Sequence, residues 1–444
     1  MEKADCIVVG AGPAGAACAI SLARKGFETV LLERARQPGE KNVASAVVFT
    51  PVLEQIVPEY LQEAPLERKI GDHAFVYLTG EGYGQLRMRF PEHYQQNLAF
   101  TVYRSQFDRW FAEKAVEAGA ELLPDALVTD LVWDGNRVVG VKVGEEEIRA
   151  NVVIGADGLH SVVGRKAGLV TDDISRYLLG VKEVLDLSPG VIEERFQLNE
   201  GEGACLECVG YPLNDICGAT TLYTNRDSIS LAVFGWVDLI REKSIDLNER
   251  LQMVKEQHLV RNLVGDAPVR EYQAHMISDG GRVSLQNLFG NGVLLCGEAG
   301  GFVVFYVGIS TGMLSGMMAA EAVDRAREKG DYSARGLGSY VSLLQESGLL
   351  DSLYDTRRFS NYLVKRGREN FPDFLQRSFD LMGEGLAGEF SFQPRAVPAS
   401  REFFYNLEEN IVPGFMRLPL RSMVKILDPA VRNLKRINAR RKLG

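Results

Sequence analysis

The sequence predicts an α/β fold in which a Rossmann-like domain is assembled from separate stretches of chain. A mixed β-sheet domain is inserted into it, and the C-terminal region is helical. Three observations carry that expectation. Residues 6–33 read as strand, glycine-rich turn, helix and second strand. Two later apolar strands end on Gly155-Ala156-Asp157-Gly158 and on Gly297-Glu298-Ala299-Gly300-Gly301. Around and between them, long sections alternate apolar and polar residues, the period of half-buried strands.

The first turn organises the rest. Cys6-Ile7-Val8-Val9 is a short apolar run suited to a buried parallel strand. It breaks into Gly10-Ala11-Gly12-Pro13-Ala14-Gly15, residues 16–25 have helical spacing, and a strand from Thr29 to Leu32 ends on Glu33. This is G-x-G-x-x-G inside a βαβ unit. Gly10 permits the tight turn, Gly12 lets backbone approach a pyrophosphate, and Gly15 lets helix pack on strand. The helix N-terminus offers unpaired N–H groups to phosphate, and Glu33 can take ribose hydroxyls. A dinucleotide is expected here.

Composition narrows the class. A chain of 444 residues allows two or three domains. Its net charge of −9 supplies no basic field for nucleic acid. Cysteines at 6, 18, 205, 208, 217 and 296 form no disulfide framework and suggest a reducing, cytoplasmic compartment. The N-terminus enters a strand at once, so no secretory signal is expected. Residues 299–320 carry no charge but hold five glycines, and read as a buried loop and helix, not a membrane span.

Along the chain, a loop over 34–45 turns at Pro38-Gly39, and a helix follows near 51–60. Residues 73–102 read as strands of a second sheet. Ser105-Gln106-Phe107-Asp108 is a capping box opening a helix to about Ala118. Strands at 121–123, 127–133, 138–143 and 147–154 follow, with a hairpin turn at Gly135-Asn136. The section 175–277 is mostly strand, interrupted by one helix over 237–258. Strand 293–296 leads through the Glu298 motif to a long helix, about 310–328, and residues 331–385 are helical with Asp331, Ser347 and Asp351 as caps. The divisions expected are 1–72, 101–172 and 278–330 for the nucleotide domain, 73–100 and 173–277 for the β-sheet domain, and 331–444 for the helical region. Between Arg417 and Lys442 stand nine Lys or Arg and one acid, Asp428, with apolar residues between them. Such a tail suits anionic lipid, an acidic partner, or plain solvent.

The two strand-end motifs point to a flavin. In each, small residues allow close approach and one carboxylate, Asp157 or Glu298, can accept from a polyol. The second leads into a helix whose N-terminal dipole would stabilise negative charge at a flavin's N1–C2 edge. A simple NAD dehydrogenase needs neither motif, and no second Rossmann fingerprint marks a pyridine-nucleotide domain: Gly336-Leu337-Gly338 follows no strand. FAD is the expected cofactor, with electrons arriving from something other than NAD(P)H. Arg104 could reach the FAD phosphates or ribityl, or form a surface salt bridge.

At these residues the chain resembles the Fix-type electron-transfer-flavoprotein:quinone oxidoreductases, within the class that includes geranylgeranyl reductases and aromatic hydroxylases. The resemblance runs to about residue 385. It rests on the N-terminal fingerprint, Pro38-Gly39-Glu40-Lys41-Asn42-Val43, residues 102–110, Gly180-Val181-Lys182-Glu183-Val184, Leu222-Tyr223-Thr224-Asn225 and residues 275–281. It implies a glutathione-reductase-type, hydroxylase-like FAD-binding fold. It also implies electron flow from a two-subunit electron-transfer flavoprotein to membrane quinone, with the iron–sulfur centre on a separate ferredoxin-like subunit. Three features depart from the family pattern: Ser45-Ala46 stands where Gly-Gly is usual, facing the flavin ring; Glu298 stands where Asp is usual; and the basic tail has no counterpart.

Motifs and resemblance together give the expected FAD-binding residues: Gly10, Gly12, Pro13, Ala14, Gly15, Glu33, Arg34, Lys41, Asn42, Ser45, Arg104, Ala156, Asp157, Gly158, Gly297, Glu298, Gly300 and Gly301. No metal site is expected, because a [4Fe–4S] centre needs four convergent thiolates and Cys205 and Cys208, on a strand, point to opposite faces. The expected chemistry moves electrons singly from a partner's cluster and delivers two to a quinone. Phe302, Phe305 and Tyr306 are candidates for the quinone's apolar way in, with core packing the alternative. His275 is the candidate proton relay, with a structural histidine the alternative. Rival readings are a prenyl reductase, an FAD-dependent monooxygenase, and an electron-relay subunit inactive outside a larger complex. With no spanning segment, attachment to the inner face of the cell membrane would be peripheral.

Overall fold

The computed structural model describes residues 3–40, 45–89, 97–170, 177–278, 287–303 and 307–354. Lys41, Asn42, Phe305 and Tyr306, the helical pattern expected beyond 354 and the basic tail lie outside the described residues.

Two sheets carry the fold. In the first, strands Val293–Leu295, Glu146–Gly155, Ala4–Val9, Thr29–Leu32 and Glu121–Leu123 lie parallel in that order. Continuous apolar runs such as Cys6–Val9 suit strands covered on both faces. One face is covered by helices Pro13–Arg24, Arg104–Glu117 and Gly308–Glu328, with Ile20, Phe107, Phe111, Met313 and Val323 fully buried between them. The other is covered by a hairpin, Val128–Asp134 with Arg137–Val143, that turns at Gly135-Asn136 and packs Leu131, Val138 and Val141 against Ile7, Val30 and Val153.

The second sheet has nine strands. Its order is Val269–Ser278, Tyr177–Asp186, Ser228–Trp236, Ala219–Thr224, Glu202–Gly210, Leu66–Leu78, Ala99–Tyr103 and Ser45–Phe49, with Tyr83–Arg89 beside Leu66–Leu78. Among the described residues only Glu202–Gly210 and Leu66–Leu78 pair parallel, so the sheet is mixed. Three differences from the sequence reading follow. The boundary at 72/73 falls inside strand Leu66–Leu78, and that at 100/101 inside Ala99–Tyr103. Ser45, read as the end of a loop, instead opens an edge strand of this sheet, Ser45–Phe49, whose other residues were given no element. The single helix expected over 237–258 is three: Val237–Glu242, Leu247–Glu256 and His258–Val264. Ser244 at φ 52° breaks the first, Asp246 caps the second by accepting from Asn248 N–H, and Gln257 caps the third by accepting from Leu259 and Val260 N–H.

These helices cover one face of the second sheet, burying Val181, Leu185, Leu231 and Val233. By the period of two, Lys182, Tyr223, Cys205 and His275 belong to the opposite face. Arg68 ties the sheet's end together, its buried guanidinium donating to the carbonyls of Asn225, Glu202 and Arg226 and to Glu193.

Candidate active site

The first turn forms as its glycines dictate. Gly10 sits at φ 102°, and a Cβ there would stand 2.6 Å from the Ala156 carbonyl oxygen, at the next strand tip. A Cβ on Gly15 would fall 1.8 Å from the Gly10 oxygen, so only glycine lets the helix start so close to the strand. Gly12 differs: a Cβ there would meet nothing within 4 Å. The space over it is open, and no side chain caps the helix that begins at Pro13. The Ala14 and Gly15 N–H groups, in the first turn, take no side-chain cap among the described residues and suit an anion there. Glu33 is held at both carboxylate oxygens, accepting from Ala11 N–H at 3.1 Å and Ala35 N–H at 2.9 Å, each with lone pairs to spare. This cradle fits a dinucleotide's pyrophosphate and ribose.

The other two tips close on the first. Gly297, at φ 62°, comes so near that its Cβ would be 2.5 Å from that of Ala14. Gly312 and Gly316 of helix Gly308–Glu328 bring that helix against Ala14 and Cys18, and Ser315 Oγ accepts from Gly297 N–H. Val307 caps this helix with no side-chain bond, so its N-terminal partial charge stays available near the tips. Glu298 Oε1 accepts from Ser278 N–H at 2.8 Å, and Oε2 would lie 4.0 Å from a Cβ on Gly158. Burial pushes the Glu298 carboxyl above its usual range, against a nearby Arg104 that pulls it down.

Two expectations, the Ser105 cap and the opening at Phe302, are corrected. Asp157 is anchored by its own turn, Oδ1 accepting from Ser161 Oγ at 2.5 Å and Oδ2 from Val163 N–H at 3.0 Å, and like Glu33 it keeps lone pairs to spare. Burial raises its pKa. The Ser105 capping box does not form, because its Asp108 is taken by Arg104 four residues back. Nε donates to Oδ1 and Nη2 to Oδ2, both at 2.8 Å, and this charged fork outcompetes a neutral cap. Arg104 is thus ion-paired and half-buried, Nε and Nη2 being engaged, and it lies within electrostatic reach of Glu298 and Tyr223. Phe302 is fully buried, edge-on to Tyr340 at 6.3 Å, in the core and not in an opening. Gly301 at φ 76° turns the chain inward there, and Thr311 Oγ1 fixes the Phe302 carbonyl at 2.6 Å. His275 is exposed on its strand, and partial desolvation, then the charges of Arg104, His160, Lys182 and Arg34, lower its pKa.

One cluster was missed from sequence. Lys182 Nζ donates to the Ser45 carbonyl at 2.9 Å and to Tyr223 Oη at 2.5 Å, and Tyr223 Oη donates to the same carbonyl. Ser45 Oγ in turn shares a hydrogen bond with Ser230 Oγ. Burial, then Arg104, lowers the Lys182 pKa to about 8. The available signal was a lysine at the opposite alternation from Val181 and Leu185 in an otherwise core-building strand.

A family model described as FAD dependent oxidoreductase matches residues 5–170. A probable electron transfer flavoprotein-quinone oxidoreductase, YdiS of Escherichia coli, is 36% identical over 86% of this chain and 90% of its own. The chain belongs to the family of these oxidoreductases and the FixC proteins. FixC of Bradyrhizobium diazoefficiens is 35% identical over 79% of this chain and 83% of its own, and FixC of Azotobacter vinelandii 33% over 85% and 89%. Among solved structures, a geranylgeranyl bacteriochlorophyll reductase-like protein from Thermoplasma acidophilum superposes with a TM-score of 0.71 at 18% identity, covering 97% of this chain and 100% of that one. The flavin-dependent brominase Bmp2 gives 0.63 at 20%, covering 92% and 98%. At such identities these two share the fold. This family member is an FAD-dependent electron-transfer oxidoreductase.

Proposed function

We propose that this chain passes electrons from a reduced electron-transfer flavoprotein, by way of a ferredoxin-like iron–sulfur subunit bound to it, to a membrane quinone. The observation that carries this reading is the match, over most of both chains, to a relative named for that activity. Thiol placement supports a separate cluster subunit. Cys205 packs with Ile70 and Tyr223 on one face of its strand and Cys208 with the helix-covered core on the other. Burial pushes both thiols up, Cys208 to about 12, so each is a poor thiolate. Cys6, Cys18 and Cys296 belong to the first domain.

Bound FAD would supply the exchange between single-electron and two-electron carriers. The chain's part is to hold and polarise it. Gly12 and the N-terminus of helix Pro13–Arg24 receive the pyrophosphate, Glu33 the ribose, and the tips at Gly158 and Gly297–Gly301 the ribityl chain and ring. Arg34, Lys41 and Asn42 complete the set on the resemblance. Glu298 and the N-terminus of helix Gly308–Glu328 set the electrostatics at the ring's pyrimidine end. Among the described residues no helix is long and apolar enough to cross a membrane, which fits peripheral attachment at the inner face. Reconstitution tests the reading. Quinol should form from reduced electron-transfer flavoprotein when the ferredoxin-like subunit is present and not when it is withheld. Equal turnover by the lone chain would remove that subunit from the account.

A further inference from the structure

Lys182 is a partly buried ammonium whose charge no carboxylate answers among the described residues. An ammonium carries three N–H donors; two go to the Ser45 carbonyl and Tyr223 Oη, and no described acid lies within ion-pair distance of the third. The charged groups around it are Arg104, on the next domain's helix, and His275, on the neighbouring strand. Cys205 and Glu207 lie further along the same face, and Tyr223 lies under the ammonium, its ring centroid 5.0 Å away. Proteins seldom desolvate a lysine beside an arginine without an electron-rich ligand in view. The two hydrogen bonds fix Nζ at the Ser45 carbonyl and leave the third donor without a partner among the described residues.

We propose that Lys182 donates its third N–H to a carbonyl oxygen of the electron acceptor and delivers a proton to that oxygen on reduction, with Tyr223 as its positioning residue. This rests on the quinone reading above. The quinone gains two electrons from the reduced cofactor and two protons. One O–H bond forms with the Lys182 proton, as the N–H bond breaks and leaves a neutral amine. The other forms with the proton that the reduced cofactor releases on reoxidation. Solvent then reprotonates the amine, which is only partly buried. A pKa near 8 leaves the amine able both to give and to recover a proton at neutral pH.

The test uses the FAD-loaded protein, reduced and then mixed in a stopped-flow instrument with a short-tailed ubiquinone or with ferricenium, a single-electron acceptor that takes no proton. In Lys182→Met the ratio of quinone rate to ferricenium rate should fall by about 100-fold, within the range of acid–base contributions. Lys182→Arg keeps charge and donors but yields no proton, so the ratio should stay low. Competitive amine labelling read by mass spectrometry should place the Lys182 midpoint near pH 8. A ratio unchanged in Lys182→Met, or restored by Lys182→Arg, or a midpoint matching surface lysines, would overturn the proposal while leaving the quinone reading intact. Failure of the wild-type protein to reduce the quinone at all would instead overturn that reading, and this proposal with it.

Discussion

Gly316 and Ala14 meet backbone to backbone: a Cβ on Gly316 would stand 2.2 Å from the Ala14 carbonyl oxygen and 3.1 Å from Cys18 N. The contact seats helix Gly308–Glu328 on the glycine-turn helix, so that the first and third strand tips share one space. Gly316→Ala forces the two helices apart. The expected cost is about 1–3 kcal/mol of stability, read from denaturant unfolding, together with loss of bound FAD on gel filtration. Gly12→Ala has open space above it and should spare folding while weakening FAD.

Glu33 accepts two backbone N–H groups and is the ribose ligand of the account. Glu33→Ala strips the Ala11 and Ala35 donors of their charged acceptor, worth about 1.5–3 kcal/mol for such bonds. FAD should bind roughly 10- to 100-fold more weakly by that measure. Flavin fluorescence during titration of the FAD-free protein gives the number.

The first domain was readable because its signals are local. A glycine triplet, a carboxylate after the second strand and two strand-end motifs each lie within a few residues. The second sheet was readable in type but not in extent. Its edge strand Ser45–Phe49 is too short for alternation to show, and Leu66–Leu78 begins with charged residues that tertiary partners neutralise. Arg68 and Asp72 are both buried, paired with Glu193 and with Arg87 and Arg89 respectively. The misreading of Ser105 has the same origin, since a capping box and an Arg104–Asp108 pair compete for one carboxylate. The Lys182 cluster joins residues 45, 182 and 223, and no local spacing announces such a meeting.

Lys182 also leaves a trace in stability. Its folded pKa, about 8, lies below the usual 10.5, so between these values the unfolded chain binds the proton that the folded chain has lost. Stability from this group therefore rises with pH from about 8 to 10.5 and is flat below. Lys182→Met should abolish that rise. The check is the difference between the two proteins' unfolding free energies across the window.

Cys205→Ala and Cys208→Ala remove buried thiols that face apart. Each should cost about 1–2 kcal/mol of packing and leave flavin content and the flavin's reducibility unchanged. Lost reducibility in the double variant would make the pair a redox dithiol.

The choice of electron donor is tested most directly by mixing the purified yellow protein with NADH, NADPH or reduced electron-transfer flavoprotein plus the ferredoxin-like subunit, and following flavin absorbance in stopped flow. The account predicts bleaching by the flavoprotein mixture and none by either nicotinamide. Bleaching by NADPH alone would contradict it.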